Sequence, residues 1–279
     1  MTPAGGEPCP TDAGLEEARP TPSEADKVHQ EMSTACDLAP AQCRFKYLVC
    51  STPRTGSTLL CTGLASSGSA GLPLEYYSGT HVQAYLHRIG SSKKALKLAE
   101  YWQFLLRHRT SPNGVFGMKM HFADLAHAFK TKQAQRSFLG EFDHFILLTR
   151  RNKLAQAVSF AKARETGTYR VGADESDAAP PPEAYNFRYL AKTLGWISDR
   201  EAQWRVLLAD LRDKTTAITY EELAADYAAS LARILTALGL TDSIPALDPR
   251  PRIVPQRDET SRQWEDRFMQ DLRSGESHL

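Results

Sequence analysis

The sequence predicts a three-layer α/β fold in which helices cover both faces of a central parallel sheet. Four short runs rich in apolar or β-branched residues have the composition of strands, and they cover residues 45–50, 115–120, 144–149 and 215–219. Helical patterns separate these runs along the chain. Strands that alternate with helices are typical of a parallel sheet, because each connecting helix packs back onto the sheet.

The helices are predicted between and after the strands, over residues 58–66, 81–89, 93–109, 123–130, 132–139, 152–164, 185–211, 221–238 and 259–272. Glycine and proline interrupt the periodic segments: Gly71 and Pro73 mark an irregular stretch, and Ser111-Pro-Asn-Gly114 marks a turn before the second strand. The segment 165–183 contains the run Pro180-Pro-Pro182 and is too long for an ordinary connection, so we interpret it as a mobile loop or lid.

The chain of 279 residues is long enough for one large α/β domain or two small ones. Residues 1–43 are rich in proline, alanine and acidic residues and show little hydrophobic periodicity. This composition predicts a flexible N-terminal tail, with a short helix near residues 24–32. Residues 44–279 are then the folded domain.

Composition and charge exclude several classes of protein. The formal net charge of +1 gives no electrostatic reason to bind nucleic acid or an acidic membrane. The N-terminus lacks the basic start and apolar core of a secretory signal, and no apolar run approaches the roughly 20 residues that span a bilayer. We therefore expect a cytoplasmic protein without stable membrane insertion. The five cysteines form no CxxC pair and no zinc-type spacing with histidine, which favours free thiols and no metal site.

The loop Ser51-Thr-Pro-Arg-Thr-Gly-Ser-Thr58 joins the first strand to the first helix of the domain. Backbone N–H groups and the helix dipole favour an anion at such a helix N-terminus. Gly56 allows close approach of a ligand, and Arg54 adds a cation. The loop is P-loop-like, but Ser57 stands where a nucleotide triphosphatase has its lysine. The alternative is a Ser/Thr helix cap without a ligand.

A second basic site ends the third strand. Arg150 and Arg151 can hold a phosphate by bidentate contacts, and Ser159 on the following helix can add a hydroxyl group. Taken alone, the two arginines also fit a solvated basic cluster. Because the carboxyl ends of parallel strands meet at one edge of a sheet, the two loops together predict a ligand with two phosphate-like groups.

Five segments, which lie between residues 45 and 271, resemble the bacterial trehalose 2-sulfotransferase family. That family is a branch of the sulfotransferases that use 3′-phosphoadenosine-5′-phosphosulfate (PAPS). The first segment contains the anion loop, and the second, Gly71-Leu-Pro-Leu-Glu-Tyr-Tyr77, is similar to the family's Gly-x-Pro-x-Glu-aromatic-aromatic stretch. The segments are residues 47–60, 71–77, 113–120, 147–160 and 256–258 with Trp264. The resemblance implies a P-loop-like fold and PAPS as a co-substrate, without a metal.

The resemblance also implies roles for individual residues. The 5′-phosphosulfate would be held by Arg54, Thr55, Gly56, Ser57 and Thr58, and the 3′-phosphate by Arg150 and Ser159. Glu75 would be the general base, with a pKa raised by burial against Tyr76 and Tyr77, its alternative being an exposed loop carboxylate. Lys119 would stabilise the transferring group, its alternative being a strand-end lysine in solvent. His121, where the family has an aromatic residue, is a weaker candidate for the base.

The expected function is transfer of a sulfonate group from PAPS to a hydroxyl of a carbohydrate, namely a trehalose-like disaccharide or a glycolipid. One alternative is a non-catalytic module that binds PAPS or a nucleotide, and another is a P-loop kinase-like phosphotransferase. A scaffold protein that uses its N-terminal segment is a third. Members of the family are often dimers, so a homodimer is one expectation. The family's terminal arginine is replaced by Pro255, and Arg257 lies close enough in sequence to substitute for it.

Overall fold

A computed structural model describes residues 22–91, 96–167, 169, 184–246 and 258–275. Within these residues the four predicted strands form one parallel sheet in the order β2-β1-β3-β4. The strands are β1 Phe45–Ser51, β2 Val115–His121, β3 His144–Thr149 and β4 Thr215–Thr219. The predicted three-layer α/β fold is confirmed, because helices lie against both faces of this sheet.

The helices follow the predicted order. They are α1 Pro22–Glu31, α2 Ser57–Ser66, α3 Gly79–Arg88, α4 Leu98–Arg109, α5 Phe122–Ala128, α6 Lys132–Leu139, α7 Lys153–Thr166, α8 Phe187–Leu207, α9 Tyr220–Ala225, α10 Tyr227–Ala237 and α11 Glu259–Ser274. The single helix predicted over residues 221–238 is in fact two helices. Asp226 lies in an extended conformation between them, and its side chain accepts the N–H of Ala229 and so caps α10.

Two hydrophobic cores form on opposite faces of the sheet because strand side chains alternate in direction. Leu48 and Cys50 of β1 belong to one core, together with Met118 of β2. Tyr47 and Val49 of the same strand belong to the other core. Among the described residues, no helix combines the length and apolar character needed to cross a membrane.

The segment before β1 is attached to the domain. Val28 and Met32, on and just after α1, are buried in the first core. Asp37 forms ion pairs of 2.6 Å with both Arg88 and Arg109, and Arg109 is fully buried. The part of the predicted tail that the structure describes is therefore held by apolar burial and by buried charge, whereas residues 1–21 lie outside the described residues.

The strand order determines which loops meet. β1 lies between β2 and β3, with Ser51 paired to His121 and Cys50 paired to Leu147. At the far side of β3, Thr149 pairs with Thr219 of β4. The segments that follow all four strands therefore emerge at one edge of the sheet, where open α/β folds bind their ligands.

Candidate active site

The loop between β1 and α2 has a backbone shaped for a close ligand. Arg54 (φ 64°) and Gly56 (φ 80°) both adopt the left-handed conformation, which is uncommon for a residue other than glycine and concentrates at functional sites. Ser57, which is buried, begins α2, so the first amides of that helix lie at its positive end. A Cβ at position 56 would lie 2.7 Å from Cδ2 of Tyr220, so only glycine fits there.

Buried hydrogen bonds within the loop and from α7 and α8 hold this loop in place. The hydroxyl of Thr55 donates to the carbonyl of Thr52 at 3.0 Å. The amide of Gln156 on α7 donates to Oγ1 of Thr52 at 2.9 Å and to the carbonyl of Pro53 at 2.6 Å. The indole of Trp204 donates to the carbonyl of the last residue of β1 at 2.8 Å. The sequence assigned no role to Gln156 or Trp204, since neither contact has a local pattern.

The loop after β3 contacts the first loop directly. Arg54 donates from Nε to Oγ of Ser159 at 3.0 Å and from its guanidinium to the carbonyl of Tyr169. Arg150 donates to the carbonyl of Arg54 at 3.2 Å, and its guanidinium lies 4.5 Å from the ring centroid of Tyr220. The structure thus brings Arg54, Arg150 and Ser159 into one cluster, although the sequence assigned Arg54 to a separate phosphosulfate site.

Arg151 does not join that cluster. Its side chain is 66% exposed and lies 3.7 Å from the carboxylate of Glu221. The same carboxylate accepts the backbone N–H groups of Arg151 and Asn152 at 3.0 and 3.2 Å. Of the two adjacent arginines, only Arg150 therefore faces the first loop.

A second cluster surrounds Glu75. Its carboxylate lies 2.8 Å from Nζ of Lys119 and 3.0 Å from Nε2 of His121. Nζ of Lys119 also donates to Oγ1 of Thr58 at 3.3 Å. The other ring nitrogen of His121 is 3.0 Å from Oγ of Ser51. Because the side chains of Lys119 and Glu75 are 9% and 17% exposed, the lysine is not the solvated strand-end residue of the alternative interpretation.

The irregular stretch before Glu75 is docked on β2. Gly71 has a φ of 69°, and a Cβ there would lie 2.8 Å from the backbone nitrogen of Gly117. The N–H of Lys119 donates to the carbonyl of Leu74 at 2.9 Å. This close approach of the two backbones requires glycine and brings Glu75 to the carboxyl end of β2, beside the loop after β1.

The expected direction of the Glu75 pKa shift is wrong. Burial does act to raise the pKa of Glu75, as the flanking Tyr76 and Tyr77 suggested. The charges of His121 and Lys119, together with their hydrogen bonds, outweigh burial and hold the pKa well below its usual value. Glu75 is therefore ionised at neutral pH, the form in which it can accept a proton.

Two other expectations concern regions that the structure covers only in part. In the described ranges, no group of three or more His, Cys, Asp or Glu side chains is placed to hold a metal ion. Pro255 and Arg257 lie outside the described residues, and so do residues 168 and 170–183 of the predicted lid.

Comparison with known proteins identifies relatives over most of the chain. A family model described as Stf0 sulphotransferase matches residues 46–271. A trehalose 2-sulfotransferase of Mycobacterium tuberculosis is 28% identical over 257 residues, which cover 80% of this chain and 93% of the relative. A trehalose 2-sulfotransferase of Mycolicibacterium smegmatis is 24% identical over 257 residues, covering 81% and 94%.

Solved structures of sulfotransferases also align with this chain. A sulfotransferase from Alicyclobacillus acidocaldarius aligns with a TM-score of 0.40 and 12% identity, covering 82% of this chain and 93% of that one. The sulfotransferase domain of the Synechococcus olefin synthase aligns with a TM-score of 0.39 and 16% identity, covering 82% and 96%. The family assignment depends on the sequence match, which extends from the second residue of β1 into α11, and on that basis the chain belongs to the Stf0 sulphotransferase family.

Proposed function

We propose that this protein transfers a sulfonate group from PAPS to a hydroxyl of a carbohydrate, of the class of trehalose-like disaccharides or glycolipids. The observation that carries the proposal is the position of Lys119, whose Nζ contacts the carboxylate of Glu75 at 2.8 Å and the hydroxyl of Thr58 at 3.3 Å. One cation thus joins a candidate base to a candidate donor loop. The relatives named trehalose 2-sulfotransferase support the class of acceptor.

The residues of the first loop suit the phosphosulfate group. The N-terminus of α2 supplies backbone N–H groups, and Ser57 and Thr58 supply hydroxyls beside them. The space over Gly56 admits no side chain at that position, as expected where a ligand and Tyr220 both approach the backbone. Arg54 adds a guanidinium group beside this loop, and Arg150, which bonds the backbone of Arg54, contacts the 3′-phosphate of the donor together with Ser159.

In the proposed reaction the acceptor hydroxyl oxygen attacks sulfur, and the bond from sulfur to the 5′-phosphate oxygen breaks. Glu75 takes the hydroxyl proton, which general base catalysis requires of a group within hydrogen-bond reach. Lys119 and the amides at the start of α2 stabilise the charge that develops on the departing phosphate oxygen. The product nucleotide is 3′-phosphoadenosine 5′-phosphate (PAP).

A base with a depressed pKa accepts a proton poorly, and Lys119 offers a way to strengthen it. When the donor binds beside Thr58, Lys119 gains a second anion and shifts its hydrogen bond from the carboxylate to the phosphosulfate. Losing the neighbouring ammonium group raises the proton affinity of Glu75. His121 remains hydrogen-bonded to the carboxylate and to Ser51 and keeps Glu75 in place.

Calorimetric titration with PAP is the first test of the donor. We expect micromolar binding by the wild-type protein and much weaker binding of ATP, since Ser57 stands where a triphosphate-binding loop has lysine. Arg150→Ala should weaken PAP binding, whereas Arg151→Ala is a matched control because that side chain is exposed and outside the cluster. A folded wild-type protein that does not bind PAP would overturn the proposal.

The acceptor is tested separately with labelled PAPS and a panel of disaccharides that includes trehalose. If the wild type transfers the label and Glu75→Gln does not, although the variant still binds PAP, the result would support catalysis with Glu75 as the base. If the wild type binds PAP but transfers sulfonate to no carbohydrate in the panel, the non-catalytic binding module is favoured instead.

A further inference from the structure

Tyr220 lies at the site but belongs to none of the segments that the sequence singled out. It is the first residue of α9, directly after β4. One side of its ring lies 4.5 Å from the guanidinium of Arg150, measured to the ring centroid. The ring edge is so close to Gly56 that a Cβ there would be 2.7 Å from Cδ2. A single aromatic ring therefore touches both of the loops that form the donor site.

The backbone around Tyr220 is held firmly. Thr219 and Glu222 form a capping box, in which the Thr219 hydroxyl accepts the N–H of Glu222 at 3.2 Å and the Glu222 carboxylate accepts the N–H of Thr219 at 2.7 Å. Glu221 accepts the N–H groups of Arg151 and Asn152, which ties the start of α9 to the loop after β3. These four hydrogen bonds fix the backbone on both sides of Tyr220.

The contact with Arg150 bears on anion binding through side-chain order. A free arginine side chain loses rotamer entropy when a ligand fixes it. A ring stacked on the guanidinium limits that freedom beforehand, and a cation–π contact of this kind contributes about 0.5–1 kcal/mol at a partly exposed site. The second contact of Arg150, to the carbonyl of Arg54, holds the same guanidinium from the other loop.

We propose that Tyr220 is a positioning residue for the donor's 3′-phosphate, because its ring holds Arg150 in the orientation that binds this group. The inference rests on the proposed function, in which Arg150 contacts the 3′-phosphate. Tyr220 itself makes no bond to the reacting atoms. Its effect is confined to the part of the binding free energy that depends on the 3′-phosphate.

Two nucleotides separate this role from a general structural one. PAP carries the 3′-phosphate and 5′-AMP lacks it, and both are titrated calorimetrically into the wild type, Tyr220→Leu and Tyr220→Phe. We expect Tyr220→Leu to weaken PAP binding about fivefold, the equivalent of one cation–π contact, and to leave 5′-AMP binding unchanged. Tyr220→Phe keeps the ring and should bind PAP as the wild type does. If the leucine variant unfolds, Tyr220→Met takes its place.

A double-mutant cycle with Arg150→Ala completes the test. Once Arg150 is absent, Tyr220→Leu should have no further effect on PAP affinity. Equal weakening of PAP and 5′-AMP, or PAP affinity unchanged in Tyr220→Leu, would overturn the positioning role while leaving the proposed function intact. A folded wild type that binds no PAP would overturn the proposed function itself, and this inference with it.

Discussion

Arg54 donates a hydrogen bond from Nε to Oγ of Ser159 across 3.0 Å, between loops that follow different strands. The sequence assigns these residues to opposite ends of one bisphosphate ligand. In the structure they are in direct contact, and Arg150 bonds the backbone of Arg54 beside them. Residues that the sequence assigns to two separate anion sites therefore form one cluster in the structure, and Arg54 is the residue that contacts both of the others.

Removing the hydroxyl of Ser159 tests that shared site. Ser159→Ala should weaken PAP binding by about ten- to a hundredfold, since a hydrogen bond to a charged group contributes about 1.5–3 kcal/mol. Calorimetric titration measures the change. Ser198→Ala on α8 is a suitable control, because that hydroxyl donates to the carbonyl of Leu194 within its own helix. Wild-type affinity in the Ser159 variant would show that this hydroxyl makes no contribution to PAP binding.

Glu75→Gln tests the base. Glutamine keeps the shape of the side chain but cannot accept the acceptor's proton, so kcat should fall by about 10²–10⁴. The affinity for PAP, measured by calorimetry on the same sample, should change little because the carboxylate of Glu75 contacts Lys119 and His121 rather than the cluster of Arg54, Arg150 and Ser159. A variant that retains full turnover would move the role of base to another group, with His121 as the first candidate.

Lys119→Met tests the electrostatic control of Glu75. The pKa of Glu75 is held below its usual value by His121 and Lys119 against the effect of burial, so removing one cation should raise it. Nuclear magnetic resonance titration of carboxyl-labelled glutamate follows the change directly. In the wild type the Glu75 signal should show no titration above about pH 4.3, the ordinary pKa of glutamate. In Lys119→Met the same signal should titrate at a higher pH than it does in the wild type. Identical titrations would exclude the cation as the cause.

The same shift predicts a stability effect with a definite sign. The folded pKa of Glu75 lies below its unfolded value, so its ionised form stabilises the fold above the unfolded pKa, and this contribution is lost as pH falls through the folded pKa. The loss of unfolding free energy caused by Lys119→Met should therefore be greatest near neutral pH and should shrink in acid.

The sheet could be predicted from the sequence because buried parallel strands are short apolar runs with turns on either side. The four predicted strands agree with β1–β4 to within one residue at each end. The contacts of Gln156, Trp204 and Tyr220 could not be predicted, because each joins residues far apart in the chain and leaves no periodic pattern.

Two further differences have the same origin. The sequence shows that Glu75 is followed by two tyrosines, which suggests burial, but the cations that reverse its pKa shift come from a distant strand. Residues 1–43 show little hydrophobic periodicity. Nevertheless, Val28 and Met32 are buried in the core, and Asp37 forms ion pairs with two arginines. A few specific contacts therefore attach this segment to the domain, although its composition gives no sign of them.

Gly56→Ala tests the shape of the first loop against Gly68→Ala. Both glycines have a positive φ, but nothing lies within 4 Å of a Cβ at Gly68, whereas Tyr220 lies 2.7 Å from one at Gly56. The Gly68 variant should lose about 1–2 kcal/mol of unfolding free energy, the cost of placing alanine in the left-handed conformation. The Gly56 variant should lose about 1–3 kcal/mol more through the clash, and its PAP binding should be abolished. Similar stability and PAP affinity in the two variants would contradict the close fit.

Asp37→Asn tests whether the segment before β1 is part of the folded domain. Burial acts to raise the pKa of Asp37, but hydrogen bonds from Arg88 and Arg109 outweigh it and lower the pKa to about 2. Asparagine leaves the charge of the fully buried Arg109 without its carboxylate, which should cost about 3 kcal/mol in urea unfolding at pH 7. Glu100→Gln, which breaks an ion pair exposed on both sides, should have little effect.

The pH dependence of the Asp37 variant gives an independent check. The folded pKa lies below the unfolded value of about 3.9, so the contribution of the carboxylate is present above that value and is lost as pH falls toward about 2. The difference in unfolding free energy between wild type and Asp37→Asn should therefore be smaller at pH 3 than at pH 7. If Asp37→Asn were as stable as Glu100→Gln at both pH values, the ion pairs of Asp37 would contribute nothing to the attachment of this segment. The burial of Val28 and Met32 and the hydrogen bonds from Arg88 and Arg109 to its backbone carbonyls would then hold it.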